Sequence, residues 1–419
     1  MALPSRSAAA LCAKRFPPNA PGIAYVPPKS LKVAWISDFP VEWLPDPPDA
    51  VKALPRRHPA TWEMVLLEEF EKDPSLRVHT ISLRPRLNRS FSFERNGTVH
   101  HVVKAASWLR LGSAFWWDAL LIRRVCRQIQ PDLVHAWGNE KGAGLLAHRL
   151  GFPYVMTIQG LFSWYKECVP LPAYDRLMER FERISLARAP FVTTESNFAV
   201  QYLRERYPRL RVEQAEHAPN RIFAQVERRP ETIQPHFLSL GTLGYRKGTD
   251  LLFQALDQLA AETPFKLTVI SNPAAEYVAA LRTKSSPQLW ERMQFKHHLL
   301  PPEVAKELQP PTMLLLPTRA DTSPNAVKEA VVAGVPVVAS RTGGIPDYVF
   351  PLKNGLLFEP NDLPGFIAAI RAACAHPLFH EGKVDSQTLT RTRDYLSPER
   401  MAQNFRRVYD VVLNRTSKG

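Results

Sequence analysis

Two doubly wound α/β domains joined by a linker, plus a C-terminal helix, are the fold class the sequence predicts. Three observations predict it. The chain has 419 residues, enough for two to three domains at roughly 100–200 residues each. Short apolar runs alternate with stretches of helical spacing in both halves, the pattern of parallel βαβ units. A polar, proline-containing stretch, 221–235, separates the halves.

Residues 1–29 read as a flexible proline-rich tail. The apolar run 8–13 is too short for a secretory core, and Lys14 and Arg15 interrupt it. Residues 33–37 form a buried strand. Six prolines within 40–59 keep any helix from running through that loop. Thr61 is expected to cap a helix over 62–72. Residues 77–83 alternate as a strand, and 113–130 have helical spacing stopped by Pro131. A strand at 133–137 leads into Gly138, then a helix at 142–149. The strand 154–158 ends at Gln159-Gly160. A charged helix, 174–188, and a strand, 191–194, complete this half. The second half offers strands at 237–240, 267–270, 313–316 and 335–340, and helices at 249–262, 325–333 and 363–376. Ser397 and Pro398 open a final helix, 397–414. The implied domains are 30–220 and 236–391, with 221–235 as linker. Residues 392–419 are a C-terminal helix expected to pack back on the N-terminal domain. Ligands of open parallel sheets bind beyond the carboxyl ends of strands, so the site belongs in the cleft between the domains.

Composition narrows the function. Hydrophobic residues at 45% and charged residues at 22% are ordinary globular values. Proline, 39 residues, is about twice its usual share, which favours stiff loops. Lys+Arg 54 against Asp+Glu 40 leaves +14, which suits an acidic partner: nucleic acid, anionic lipid or a phosphorylated small molecule. Cys12, Cys126, Cys168 and Cys374 are scattered, so neither a disulfide scaffold nor a zinc site is expected, and a reducing cytoplasm is. No run approaches the ~18 apolar residues of a spanning helix.

The chemistry concentrates in 317–347, PTRADTSPNAVKEAVVAGVPVVASRTGGIPD. A strand ends at Leu316, and a polar loop enters a helix near Ser323-Pro324-Asn325-Ala326. That helix start offers free N–H groups to an anion. Asp321 lies in the loop, and Glu329 lies past the first turn, where a carboxylate reaches ligand hydroxyls. Gly343-Gly344 lets backbone approach a ligand closely. A loop with surface acids is the bland alternative for the acid pair alone. A second stretch, Leu240-Gly241-Thr242-Leu243-Gly244-Tyr245-Arg246-Lys247-Gly248, joins a strand end to two cations, a plausible phosphate grip. A basic turn before a helix is its bland alternative.

These residues resemble the signature of retaining glycosyltransferases of the GT-B fold, glycosyltransferase family 4. Glu329, Ala330, Gly334, Pro336, Val337, Val338, Gly343 and Gly344 match it. Asp321 stands for the family's first Glu, and Asp347 is the acid after the glycine pair. The resemblance implies that Asp321 faces the donor sugar and Glu329 holds the nucleotide ribose. Lys247, Gly248 and Asp250 match the segment that grips the donor diphosphate, with Thr242 in the family's Arg position and Arg246 beside the lysine. The implied catalytic residues are Lys247, Asp321 and Arg246. The donor site adds Gly241, Thr242, Ser323, Pro324, Asn325, Ala326, Glu329, Gly343 and Gly344. In the first half, 132–138 and 157–160 resemble the family's strand ends, with Gln159 where the family has His. The family's glycine-rich loop after the first strand is replaced by 38–48. Trp137, Gly138, Asn139, Glu140, Gln159 and Gly160 are the acceptor-side candidates, and His135 is as readily a packed strand histidine.

The resemblance implies transfer of a sugar from a nucleotide-diphosphate donor to a hydroxyl of a polysaccharide, glycan or lipid-linked acceptor, with retention. No Asp-x-Asp pair is placed for a divalent metal, so metal-free transfer with no cofactor is expected. A non-catalytic sugar-nucleotide binder and a basic nucleic-acid binder are the rivals; the latter lacks any recognition module. A last segment, 104–127, carries Trp108, Arg110, Phe115, Trp116, Trp117, Arg123, Arg124 and Arg127. A core-facing aromatic stripe is the favoured reading, and peripheral contact with an anionic membrane at its cytoplasmic face is the alternative.

Overall fold

The computed structural model describes residues 30–55, 60–138, 142–231 and 233–414. The tail reading for 1–29 and the candidates Asn139 and Glu140 lie outside them. The N-terminal sheet comprises β1 (Leu31–Ile36), β2 (Leu76–Arg84), β3 (Phe91–Arg95), β4 (Thr98–Lys104), β5 (Leu133–Trp137), β6 (Tyr154–Ile158), β7 (Phe191–Thr194) and β8 (Arg211–Gln214). Their order is β3-β4-β2-β1-β5-β6-β7-β8. Neighbours are parallel except in the β3–β4 hairpin.

The C-terminal sheet comprises β9 (His236–Leu240), β10 (Lys266–Ile270), β11 (Met293–Lys296), β12 (Met313–Leu316), β13 (Val337–Ser340) and β14 (Gly355–Phe358), in the order β11-β10-β9-β12-β13-β14. It is parallel throughout. The expected pair of doubly wound domains is therefore present.

Both sheets are covered on both faces, which is why their central strands are nearly continuous apolar runs. Every residue of β5, β6 and β9 is buried. Alternation still sorts the two faces: Ala34 and Ile36 enter one core, Val33 and Trp35 the other. The last helix, Pro398–Val412, returns to the N-terminal domain and completes the second of these cores with Met401, Phe405, Val408 and Tyr409. The Tyr409 hydroxyl accepts from Trp35 Nε1 at 3.1 Å and bonds His135 Nδ1 at 2.7 Å. No described helix is long and apolar enough to cross a membrane.

Local expectations needed correction. The stretch 40–59 holds single turns, Val41–Trp43 and Asp49–Lys52. Pro40 and Pro48 are tolerated because they sit at the N-caps, outside the turns. Thr61 is the first helical residue rather than the cap, which is Ala60. The helix expected over 113–130 is present as Trp116–Ile129, and a separate short helix, Ser107–Gly112, precedes it. Ala114 and Phe115, with φ of 45° and 66°, separate the two. The stretch 221–235 opens with a helical turn, Arg221–Ala224, capped by the Asn220 side chain, and Phe223 is buried in the C-terminal core. The hairpin β3–β4 and the edge strands β8, β11 and β14 fall outside the sequence expectations: β8, β11 and β14 are only four residues long, and β8 and β11 are half polar.

Candidate functional site

The strand ends of the two domains meet. Thr322, after β12, donates to the Gln159 carbonyl, after β6, at 2.8 Å. Between them lies the cation pair. Gly248 has φ 70°, and a Cβ there would stand 1.8 Å from the Pro317 carbonyl. Only glycine lets this turn close on the end of β12, and that closure brings Lys247 to Asp321. The Lys247 ammonium is hydrogen-bonded to the Asp321 carboxylate. Arg246 lies 3.9 Å from the same carboxylate, donates to the Ala320 carbonyl at 2.8 Å, and covers the Tyr165 ring of the opposite domain at 4.8 Å. Burial alone would raise the Asp321 pKa, but Lys247 and Arg246 outweigh it and hold the carboxyl below its usual range. Asp321 is therefore charged at neutral pH.

The helix Asn325–Ala333 begins beside this pair. Pro324 is its N-cap and no side chain caps it, so its first amides remain available to an anion. Gly241 and Thr242 are exposed at the end of β9. Asp250 grips Arg319 with two bonds, at 2.6 and 2.7 Å. Glu329 is half-buried one turn into the helix, and burial pushes its carboxyl up to about 8. Among the described residues it has no hydrogen-bond or ion-pair partner.

Next to Glu329, Lys328 is fully buried and reaches across to the N-terminal domain. Its ammonium donates to Glu195 at 2.9 Å, Glu216 at 3.0 Å and the His217 carbonyl at 3.1 Å. Burial would lower its pKa, but the two glutamates outweigh it and raise it. Burial drives Glu195 up to about 8, and it raises Glu216 too, despite Lys328. One lysine facing two buried carboxylates leaves an excess negative charge, which favours the protonated form of the glutamates. The sequence reading missed this triad. Its signal was a lysine on the apolar face of NAVKEAVVA, three and four residues before Val331 and Val332.

The same seam absorbs several expected donor contacts. The Ser323 hydroxyl donates to Glu216 at 3.0 Å and meets the Tyr348 hydroxyl at 3.2 Å. Asp347 accepts from the Asn197 backbone and side chain at 2.9 and 3.2 Å. Gly343 and Gly344 do permit close approach, but to protein. A Cβ at Gly343 would stand 1.8 Å from the Asp321 carbonyl, and one at Gly344 would stand 2.6 Å from Ser196 Cβ of the other domain.

On the acceptor side a cavity of about 230 Å³ is lined by Ser37, Asp38, Trp62, Arg110, Trp137 and Gln159, among others. Trp62 Nε1, Trp137 Nε1 and Gln159 Nε2 are buried without a hydrogen-bond partner among the described residues. Such donors cost about 1–3 kcal/mol each while unpaired, so a ligand rich in acceptors suits this wall. Trp137 belongs to the core as well, 4.1 Å from the His135 ring and 5.3 Å from Trp35. The Gly138 N–H donates to the Thr157 carbonyl at 2.9 Å, and Gly160 is buried beside Tyr165. His135 is a packed strand histidine. It bonds Tyr409 and Thr157, and burial holds its pKa well below the usual value. Where a glycine-rich loop was missing after β1, buried Arg84 ties the chain down. It bonds Asp38 at 2.9 Å and Glu42 at 2.8 and 3.1 Å.

Comparison with known proteins bears on the family and the fold. A family model described as "Glycosyl transferases group 1" matches residues 234–376, and one described as "Glycosyltransferase Family 4" matches 73–220. The chain is 25% identical to glycogen synthase of Mycobacterium tuberculosis over 168 residues, 40% of this chain and 41% of the relative. It is 30% identical to sulfoquinovosyl transferase of Arabidopsis thaliana over 146 residues, 34% of this chain and 27% of the relative. The matched stretch thus spans about two-fifths or less of these relatives. Sucrose-phosphate synthase from Thermosynechococcus elongatus superposes with a TM-score of 0.74 at 16% identity, over 92% of this chain and all of that one. The Anabaena HepE protein in complex with UDP-glucose gives 0.64 at 12%, over 91% and 100%. At these identities the likeness speaks for the fold.

Proposed function

The chain belongs to the family 4, group 1 glycosyltransferases of the GT-B fold, and on that premise we propose that it transfers a sugar from a nucleotide-diphosphate donor to an acceptor hydroxyl. One observation carries the reading: Lys247 and Arg246 both turn to Asp321, four residues before the helix start at Asn325 that no side chain caps. That arrangement answers the main demand of the reaction, which is to stabilise a departing diphosphate. In the cleft Asp321 serves as the anion for Lys247. A diphosphate would take over the ammonium, freeing Asp321 for the sugar. Glu329, one turn along the helix, suits the ribose hydroxyls.

In the step we propose, the sugar's anomeric C–O bond to the diphosphate breaks and a new one forms to the acceptor oxygen on the same face. The acceptor's proton passes to the departing phosphate oxygen. The acceptor lies in the cavity walled by Trp62, Trp137 and Gln159, whose unpaired donors suit a polyhydroxylated or anionic glycan end. The described cysteines are free thiols, which fits a cytoplasmic site of action. A thermal-shift screen of nucleoside diphosphates and nucleotide sugars tests the reading, since a cleft ligand stabilises the fold by RT ln(1 + [L]/Kd). The expected result is stabilisation by one base class, lost in Lys247→Ala. No stabilisation by any of them would refute it.

A further inference from the structure

Eleven large hydrophobic side chains are exposed among the described residues, and five of them fall within 108–120: Trp108 (78%), Leu111, Trp116 (54%), Trp117 and Leu120. The favoured core-stripe reading is therefore wrong for this segment. Only Phe115 of its aromatics points into the core. Isolated exposed apolar residues need no explanation, but three exposed tryptophans within ten residues of chain do.

The cluster is held rigidly. Ala114 and Phe115, both at positive φ, turn the chain between the helices Ser107–Gly112 and Trp116–Ile129. Phe115 anchors the turn edge-on against Phe181 at 5.1 Å. Arg149 donates to the Ala114 carbonyl and lies 4.4 Å over the Trp116 ring. The backbone thus presents the tryptophans from a fixed mount.

The charge around the cluster has one sign. Between Gly97 and Pro131 the only acid is Asp118, which is buried and bonded to Arg110 at 2.6 Å. Lys104, Arg124 and Arg127 are exposed, and Arg124 and Arg127 follow Leu120 by four and seven residues on one helix face. A second copy of this surface would be repelled by its like charge. An anionic bilayer complements it: tryptophans settle at headgroup depth, and arginines reach the phosphates. Arg110, in the helix that carries Trp108, lines the acceptor-side cavity.

We propose that the helices Ser107–Gly112 and Trp116–Ile129 dock the N-terminal domain on an anionic membrane surface, placing the cavity beside the headgroups so that the acceptor is lipid-borne. Only the last clause rests on the glycosyltransferase reading. Flotation of the full chain with phosphatidylcholine vesicles, with and without phosphatidylglycerol, tests it. The chain should float with the anionic vesicles alone, less so as salt rises. Arg124→Gln/Arg127→Gln should lower partition about 10- to 30-fold, the scale of two surface charges, and Trp108→Gln/Trp117→Gln at least about tenfold. Both should keep the parent's thermal midpoint and nucleotide binding. The proposal is overturned if the parent fails to float at low salt, if both variants float like the parent, or if the patch is covered by a dimer that Trp108→Gln/Trp117→Gln dissociates. Nucleotide binding measured on the same samples separates the two readings: its loss in the parent, with flotation intact, would count against sugar transfer and leave docking standing.

Discussion

Asp321 and Lys247 define the site at the scale of single residues. Asp321 is buried and Lys247 half-buried against it, so the lysine meets the donor already partnered. Lys247→Ala should lower turnover by about 10²–10³, the scale for one transition-state charge partner, with folding intact. Asp321→Asn should do the opposite for binding. With the competing anion removed, nucleoside diphosphate should bind about fivefold tighter, equivalent to roughly 1 kcal/mol for such a pair, while sugar transfer slows. Calorimetry without acceptor reads this, and equal affinity would mean that Lys247 does not meet the diphosphate. Glu329 adds a pH dependence. Its carboxyl is raised to about 8 by burial, so at pH 7 a ribose contact to the carboxylate first requires loss of a proton. Affinity for nucleoside diphosphate should rise about tenfold from pH 7 to 9, since one pKa unit is worth 1.36 kcal/mol. Glu329→Gln should bind more weakly and show a flat profile over that range. A parallel slope in the mutant would assign the titration elsewhere.

Elements matter through close backbone approaches. The turn after β13 meets the start of the helix Asn197–Arg206 at Gly344, where an added Cβ would stand 2.6 Å from Ser196 Cβ and 2.8 Å from the Thr322 carbonyl. Gly344→Ala should cost about 1–3 kcal/mol, as overpacking does, and should wedge the domains apart. Limited proteolysis should then cut faster between them. Ser196→Gly in the same chain should restore part of the loss, because it removes one of the two clashing groups. No rescue would place the strain within the C-terminal domain alone, at Thr322.

For the whole molecule, the triad Lys328–Glu195–Glu216 is a buried polar bond between domains. Removing the lysine alone leaves carboxylates without compensation, so Lys328→Met should cost about 3–5 kcal/mol. Replacing all three with Met should recover most of that, read as thermal midpoint. A single mutant as stable as the parent would show that the domains are held by other contacts. The pH dependence has a definite sign. Glu195 holds its proton in the folded state up to about pH 8, so its contribution is full below about 4.5 and fades as pH rises toward 8. Glu195→Gln cannot ionise, and should gain stability relative to the parent between pH 6 and 8.

Sequence periodicity by itself determined the two doubly wound sheets, because strands buried on both faces must be continuously apolar, and LVHAW, YVMTI and MLLL are. Motif spacing likewise marked Lys247, Asp321 and Glu329, since one turn and one helix carry them. Tertiary structure alone decided what those residues face. Gly343, Gly344 and Ser323 carry a ligand-like signature, yet they pack on protein, because close approach needs glycine whether the visitor is a phosphate or another domain. Lys328 finds its partners 133 and 112 residues away, a distance no local pattern encodes. Trp116 and Trp117 stand in solvent while Phe115 beside them is buried, and aromatic content along the chain does not say which neighbour turns inward.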